Sequence, residues 1–252
     1  MRILVTFAVE AEFAPWRKLR KFRKLSSRAR FEFVSALEAG EGHEISVLLT
    51  GIGETTSEKT LGCSTFLETR KPDLLISSGF AGALSPALSP GAVIAPAKVR
   101  TLKNHGNVDA DRALRDEAVR LGALPIENLI TLDRLAKTAQ EKAGLSFCGE
   151  AVDMESAIVM SRFATAGIPT VAVRAVSDAA DEDLPLDFDR CLTPQGAIKA
   201  MNLVNQIVKR PDNLPNIVRF GRQSQQAGHV LASFLEKFVL GIPTLHERFA
   251  KA

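Results

Sequence analysis

The sequence predicts an α/β protein in three layers, α/β/α, with a central twisted mixed sheet and a helical C-terminal extension. Three observations carry this. Short apolar runs alternate with stretches of helical periodicity along most of the chain. Glycine and proline stand at nearly every junction between them. From about residue 194 onward the β-like runs stop and only helical spacing remains.

Ile3, Leu4, Val5 and Phe7 form an apolar run that reads as a buried strand, with a helical stretch from about Glu10 to Lys24 after it. Glu41 and Gly42 mark a turn before the strand Glu44–Thr50, and Gly51-Ile52-Gly53 leads into a helix from about Thr55 to Thr69. Pro72-Asp73 restarts the chain as the strand Leu74–Ser78, which ends in Gly79-Phe80-Ala81-Gly82. Pro86, Pro90 and Gly91 bracket a loop before a β-like run at Ala92–Val99, and the polar stretch Leu102–Val108 reads as a loop. Then come helix Asp111–Leu121, strand Leu129–Leu132, a strand reaching Asp153 and helix Glu155–Ala166, stopped by Gly167-Ile168-Pro169. Thr170–Ser177, with Val171, Val173 and Val176, has the strongest β character. In the tail, Pro194–Val208 reads as a helix. After Pro211 and Pro215, Ala227, Val230, Leu231, Phe234, Leu235 and Phe238 recur at helical spacing. With no internal repeat and no long linker, a single domain over 1–252, helical from about 194, is the simplest account.

Composition narrows the function classes. Hydrophobic residues at 46% and charged residues at 24% describe a globular chain rather than a disordered one. A net charge of +3 gives no reason to expect nucleic acid as a partner. The charge is uneven, however: Arg17, Lys18, Arg20, Lys21, Arg23, Lys24, Arg28 and Arg30 follow one another with no acid between them. They make a solvated face or a patch for a polyanion such as anionic lipid. Cys63, Cys148 and Cys191 lie far apart, with no CxxC pair, which suits a reducing cytoplasm and argues against a zinc site. The opening MRILVTFAVEAEF is too short and too acidic for a signal peptide, and no apolar stretch has the length of a membrane span.

Acidic or hydroxyl-bearing pairs stand where strands end: Glu10 and Glu12, Ser77 and Ser78, Asp153 and Glu155, Ser177 and Asp178. In open α/β sheets ligands bind beyond the carboxyl ends of the strands, so such groups can converge although far apart in sequence. Singly, each has a plain structural use: Glu12 as a solvated helix residue, Glu155 as a first-turn acid, Asp178 as a cap. Gly51-Ile52-Gly53 lacks the third glycine of a dinucleotide fingerprint, having Thr56 there, and GFAG at 79–82 lacks the lysine of a P-loop. Glycines at these places let the backbone approach a small ligand. No HExxH or GxSxG is present, and His43, His105, His229 and His246 are scattered.

Four segments, ILVTFAVEAEF, LLTGIGETTSEKT, KPDLLISSGFAGALSPALSPGAVI and AVDMES…AVRAVSDAADEDLP, resemble the nucleoside phosphorylase and nucleosidase superfamily, in the branch of the methylthioadenosine/S-adenosylhomocysteine nucleosidases. The likeness runs from the start of the chain to about residue 185, and Asp-Met-Glu-Ser followed by Arg-Ala-Val-Ser-Asp is its most specific part. Asp-Met-Glu-Ser, SDAADEDLP and the tail KRPDNLPNIVRFGRQSQ are further similar to the hopanoid-associated adenosylhopane nucleosidases or phosphorylases.

The resemblance implies a purine nucleoside as small-molecule substrate, no cofactor and no metal, and a homo-oligomer. It implies Asp178 as general acid toward the leaving base, held by Ser177; Glu155 on the ribose hydroxyls, with Met154 against the sugar and Asp153 beside it; and Glu12 as activator of water. Gly53, Gly79, Phe80, Ala81 and Val152 would line the pocket. Phosphate-using members carry a glycine–arginine loop after the first strand and a hydroxyl residue where Phe80 stands. Ala8–Glu12 and Phe80 therefore point to hydrolysis, with phosphorolysis the alternative. Phe80 also departs from the serine of the nucleosidases, and the aromatic residue expected over the base is missing from Leu129–Leu135, which leaves Phe147 as the candidate. A non-catalytic nucleoside-binding protein would keep the glycines but lose one of the three acids. The apolar stripe Ala227–Phe238, in a tail with seven basic residues against three acidic, would either make peripheral contact with a membrane or dock on the core or a subunit interface.

Overall fold

In the computed structural model the described residues are 1–24, 32–34, 44–63, 71–102, 106–191, 193, 200–209 and 211–249. The strands are β1 (Arg2–Phe7), β2 (Arg23–Lys24), β3 (Glu32–Val34), β4 (Glu44–Leu49), β5 (Leu74–Ala83), β6 (Val93–Thr101), β7 (Asn107–Asp109), β8 (Leu124–Thr131), β9 (Ala151–Asp153) and β10 (Thr170–Asp178). Between and after them run α1 (Glu10–Arg20), α2 (Glu54–Cys63), α3 (Arg112–Arg120), α4 (Ala139–Leu145), α5 (Ser156–Ala164), α6 (Phe188–Cys191), α7 (Ala200–Lys209) and the long α8 (Leu214–Phe249).

The strands form one mixed sheet in the order β10-β6-β8-β9-β5-β1-β4-β3-β2, with β7 on β6. A second pairing, β10 with β5, closes β5, β9, β8, β6 and β10 into a ring, while β1, β4, β3 and β2 extend from it as an open sheet. The parallel pairings β4–β1, β1–β5 and β5–β10 set the carboxyl ends of these strands side by side. Alternation along the buried strands separates two cores, because successive side chains face opposite sides of a sheet. Ile3, Val5, Phe7, Val171 and Val173 join one core, with Phe13 and Trp16 of α1 and Leu231, Leu235 and Phe238 of α8. Leu4, Leu75 and Ala172 join the other, with Ala157, Val159 and Met160 of α5.

Several elements differ from expectation. The first helix ends at Arg20, where Lys21 adopts a left-handed φ of 54° that closes it, and a short strand follows. Residues 107–109, expected in a loop, pair with β6 as an added strand. The Leu129–Leu132 strand begins five residues earlier, at Leu124. Helix α4 was not foreseen; Thr138 and Glu141 cap it reciprocally, Glu141 N–H donating to Thr138 Oγ1 at 3.1 Å. The far end of the Thr55–Thr69 helix, the start of the Pro194–Val208 helix and the basic residues Arg28 and Arg30 lie outside the described residues.

Most of the tail's apolar stripe is taken up by the core, although Val230 stays 38% exposed. Ala227, Leu231, Leu235 and Phe238 have no exposed surface, and Phe234 keeps 8%. They face the sheet, where burying each of the large side chains contributes about 1.5–3 kcal/mol that a water-facing placement would forgo. Part of the basic run is likewise engaged: Arg20, 5% exposed, pairs with Glu236 of α8 at 2.9 Å, and Arg17 pairs with Glu10 at 2.8 Å. Among the described residues no helix is long and apolar enough to cross a membrane.

Candidate active site

The site is built on β5 and its two parallel neighbours. β5 continues past its hydrophobic half into Gly79-Phe80-Ala81-Gly82, so its glycines lie in the sheet rather than in a turn. Gly79 has φ +139°, and a side chain there would begin 2.4 Å from Arg174 Nη1 and 2.6 Å from Glu12 Oε1. Only glycine meets both demands. The space left at Gly79 holds the meeting of two buried charges.

Arg174 lies mid-strand in β10 with 1% of its surface exposed, in register with Gly79. A guanidinium in that position survives only if its donors are used. Nη2 meets Asp153 Oδ2 at 2.8 Å, Ser156 Oγ at 2.7 Å and Ser77 Oγ at 3.1 Å; Nη1 donates to the Ser78 carbonyl at 2.8 Å. Asp153 in turn accepts from Thr131 Oγ1 at 2.6 Å and from the Ser156 N–H at 3.2 Å. The parallel register of β8 and β9, Thr131 opposite Asp153, aligns the first of these bonds.

Two carboxylates flank this hub. Glu12, in the first turn of α1, accepts three backbone N–H groups: Ala8 at 2.9 Å and Val9 at 3.2 Å on Oε2, and Phe80 at 2.8 Å on Oε1. Burial pushes its pKa up, against the pull of Arg174 and the three donors. Glu155, just before α5, accepts the Gly53 N–H at 2.8 Å. Its pKa is pushed up to about 8, first by burial and then by the charge of Asp153, with Arg174 opposing and Glu12 adding to the rise. A side chain at Gly53 would lie 3.8 Å from Met154 Cε, which puts Met154 beside the same turn. The Gly51–Gly53 turn thus gives an N–H to a carboxylate of its own chain.

The third acid ends β10. The register of β10 against β5 slips between Val176 and Asp178, so that Gly82 faces Asp178 and Ser177 is the extra residue. Such a bulge re-aims neighbouring side chains. Here Ser177 Oγ donates to Asp178 Oδ1 at 2.6 Å, although adjacent strand residues ordinarily point apart. Oδ2 meets Lys142 Nζ at 2.5 Å and would lie 3.1 Å from a side chain at Gly82, beside Val152.

All the expected site residues therefore fall on adjoining strand ends: Glu12, Gly79 and Phe80 around one face of Arg174, Asp153, Met154, Glu155 and Gly53 around another, and Val152, Ala81, Ser177 and Asp178 next along β5 and β10. Phe80 contributes its N–H. Its ring packs toward the core that contains α8, where a side chain at Gly228 would lie 3.5 Å from it. Phe147 stands 85% exposed in solvent rather than over the carboxylates, which removes it as the stacking residue. A hollow of about 410 Å³ adjoins Thr131 and Ala157, lined also by Leu132, Arg134, Leu145 and Ile158.

Sequence reasoning missed Arg174, Lys142, Thr131, Ser156 and Gly82. Arg174 had a signal, since a charge inside Val-Ala-Val-Arg-Ala-Val demands a buried partner. Lys142, in the polar stretch AQEKAGL, had none.

With this partly closed mixed sheet and its gathered acids, the chain belongs to the phosphorylase superfamily: residues 2–209 match that family. Among individual proteins, it is similar to the 5′-methylthioadenosine/S-adenosylhomocysteine nucleosidase of Bacillus subtilis, 28% identical over 239 residues that cover 83% of this chain and 99% of that one. The Bacillus licheniformis protein of the same name is 29% identical over 238 residues, with the same coverage. In structure, it is similar to the Campylobacter jejuni 5′-methylthioadenosine/S-adenosyl homocysteine nucleosidase, with a TM-score of 0.70 at 19% identity over 95% of this chain and 99% of that one. It is also similar to the futalosine hydrolase of Helicobacter pylori, at 0.70 and 17% over 95% and 97%. At such identities these two share its fold.

Proposed function

We propose that the chain is an N-glycosyl hydrolase that releases adenine from a 5′-substituted adenosine. The observation that carries the choice of water over phosphate is the seat of Glu12. Three backbone N–H groups converge beside a buried arginine, an arrangement that would suit an anion. Here the chain's own carboxylate fills it. A second anion would meet that carboxylate. A water molecule meets instead a carboxylate whose basicity burial has raised.

The roles follow from charge. As the C1′–N9 bond lengthens, its electron pair moves into the purine and the sugar becomes positive. Glu155 takes hydrogen bonds from the ribose hydroxyls and so holds the sugar, with Met154 against it. Asp178 passes a proton to N7, so the base leaves neutral, and Ser177 holds the carboxyl in place. Glu12 takes a proton from water as its oxygen bonds to C1′. The nucleosidase names of the relatives support this reading, as does the joint presence of all three acids, which a simple binding protein would not need.

The group on the 5′ side is a finer matter. The tail's likeness to the hopanoid-associated group makes adenosylhopane the lipid-linked candidate, beside the small thioethers named for the relatives. Incubation with methylthioadenosine, S-adenosylhomocysteine, inosine and adenosylhopane, each with and without phosphate, decides. Adenine release independent of phosphate is expected, with Asp178→Asn lowering kcat by about 100-fold or more. Release only in the presence of phosphate would establish phosphorolysis instead.

A further inference from the structure

Lys142 has no part in the chemistry above, yet it is among the most completely buried side chains in the protein. Its ammonium donates to three acceptors: Asp178 Oδ2 at 2.5 Å, the Ala179 carbonyl at 2.7 Å and the Glu182 carbonyl at 2.8 Å. Three acceptors match the three protons of an ammonium, and its stem lies wholly inside the protein. Burying a lysine for structure alone is costly when a hydrophobic residue would fill the same volume.

The geometry singles out one oxygen. Asp178 Oδ1 is held by Ser177, while Oδ2 meets Lys142 and faces the space kept open by Gly82, next to Val152. Among the described residues no other charged side chain bonds to either partner. Of the groups around them, Glu182 pairs with Arg219 of α8, Asp183 accepts the Ala139 N–H, Glu141 pairs with Arg134, and Lys137 with Asp187. Glu12, Glu155 and Asp153 gather around Arg174 instead.

We propose that Lys142 is a positioning residue that acts through Asp178 and supplies the proton Asp178 delivers. The inference rests on the glycosidase reading. Nζ gives a proton to Oδ2, leaving a neutral amine and a carboxylic acid. That acid gives the same proton to N7 as the C1′–N9 pair enters the purine, which restores the carboxylate. After the base leaves, a water proton returns through Asp178 to the amine. The pair thus carries one proton that can pass from Nζ through Oδ2 to the purine.

The test is kcat against pH for the wild type, Lys142→Met and Lys142→Arg, each also carrying Asp178→Asn. Methionine keeps the volume without the charge; arginine keeps the charge but does not release its proton. Lys142→Met is expected to lose about 100-fold in kcat at about pH 9 and about 10-fold or less near pH 5, where protons from solvent are more abundant, with KM nearly unchanged. Lys142→Arg, which preserves the ion pair even where methionine impairs folding, is expected to show the same alkaline loss. With Asp178→Asn present, neither change should lower kcat further. An equal loss at every pH, full activity of Lys142→Arg at about pH 9, or additivity with Asp178→Asn would overturn the relay. Absence of base release by the wild type would instead remove the glycosidase reading on which it rests.

Discussion

Glu155 is a carboxyl that its surroundings keep neutral. In the unfolded chain it would titrate near the ordinary 4.5, and in the fold it is pushed up to about 8. Below the first value both states hold the proton. Between the two the native state holds a proton that the unfolded state has lost, so stability falls as pH rises, by at most about 1.4 kcal/mol per pH unit, and levels off above the second. Glu155→Gln cannot titrate. Denaturant unfolding of both proteins from about pH 5 to about pH 8 should therefore show the variant gaining on the wild type as pH rises. A constant difference across that range would mean that Glu155 is ionised in the fold. Asp178 is held by partners: a hydroxyl engages one of its oxygens and an ammonium the other.

At the scale of elements, the site depends on how α8 grips α1. Glu236 of α8 accepts from Trp16 Nε1 at 2.8 Å and from Arg20 Nη2 at 2.9 Å. Trp16 has no exposed surface and packs on Phe7, Phe13 and Phe22. Because α1 also carries Glu12, this clamp positions the proposed water-activating carboxylate through about three turns of helix and one distant acid. Glu236→Ala should cost about 2–3 kcal/mol by stripping partners from a buried indole and a buried guanidinium. Thermal melting measures the cost, and a loss below about 0.5 kcal/mol would reduce the pair to a surface ion pair. The β10 bulge works at the same scale: without its extra residue Ser177 and Asp178 would face opposite sides of the sheet.

At the scale of the whole molecule, the family match ends at residue 209, but the core does not. Ala227, Leu231, Phe234, Leu235, Phe238, Val239 and Ile242 of α8 share one apolar cluster with Ile3, Val5, Phe7 and Val173. Removing residues 210–252 would expose that face, with each large side chain's partners losing about 1.5–3 kcal/mol of burial. Truncation after Lys209 should therefore yield aggregated protein or a chain without a cooperative melt. A soluble, cooperatively melting product would show α8 to be an accessory layer.

Much of this was legible in the sequence, for identifiable reasons. Period-two alternation and glycine or proline punctuation located β1, β4, β5, β6 and β10, because buried strands and turns leave local marks. Glu12, Glu155 and Asp178 were findable because each follows a strand, where an α/β sheet presents its ligand face. Tertiary structure alone decided the rest. That β5 pairs with β10 and closes a ring depends on contacts between segments about a hundred residues apart. Whether the α8 stripe met lipid or protein depended on whether the sheet left an apolar face uncovered, since the stripe fits either. The partners of Arg174 and Lys142 lie 18 to 97 and 36 to 40 residues away, beyond any local periodicity. Charge in a core is invisible as function until the fold shows what it touches.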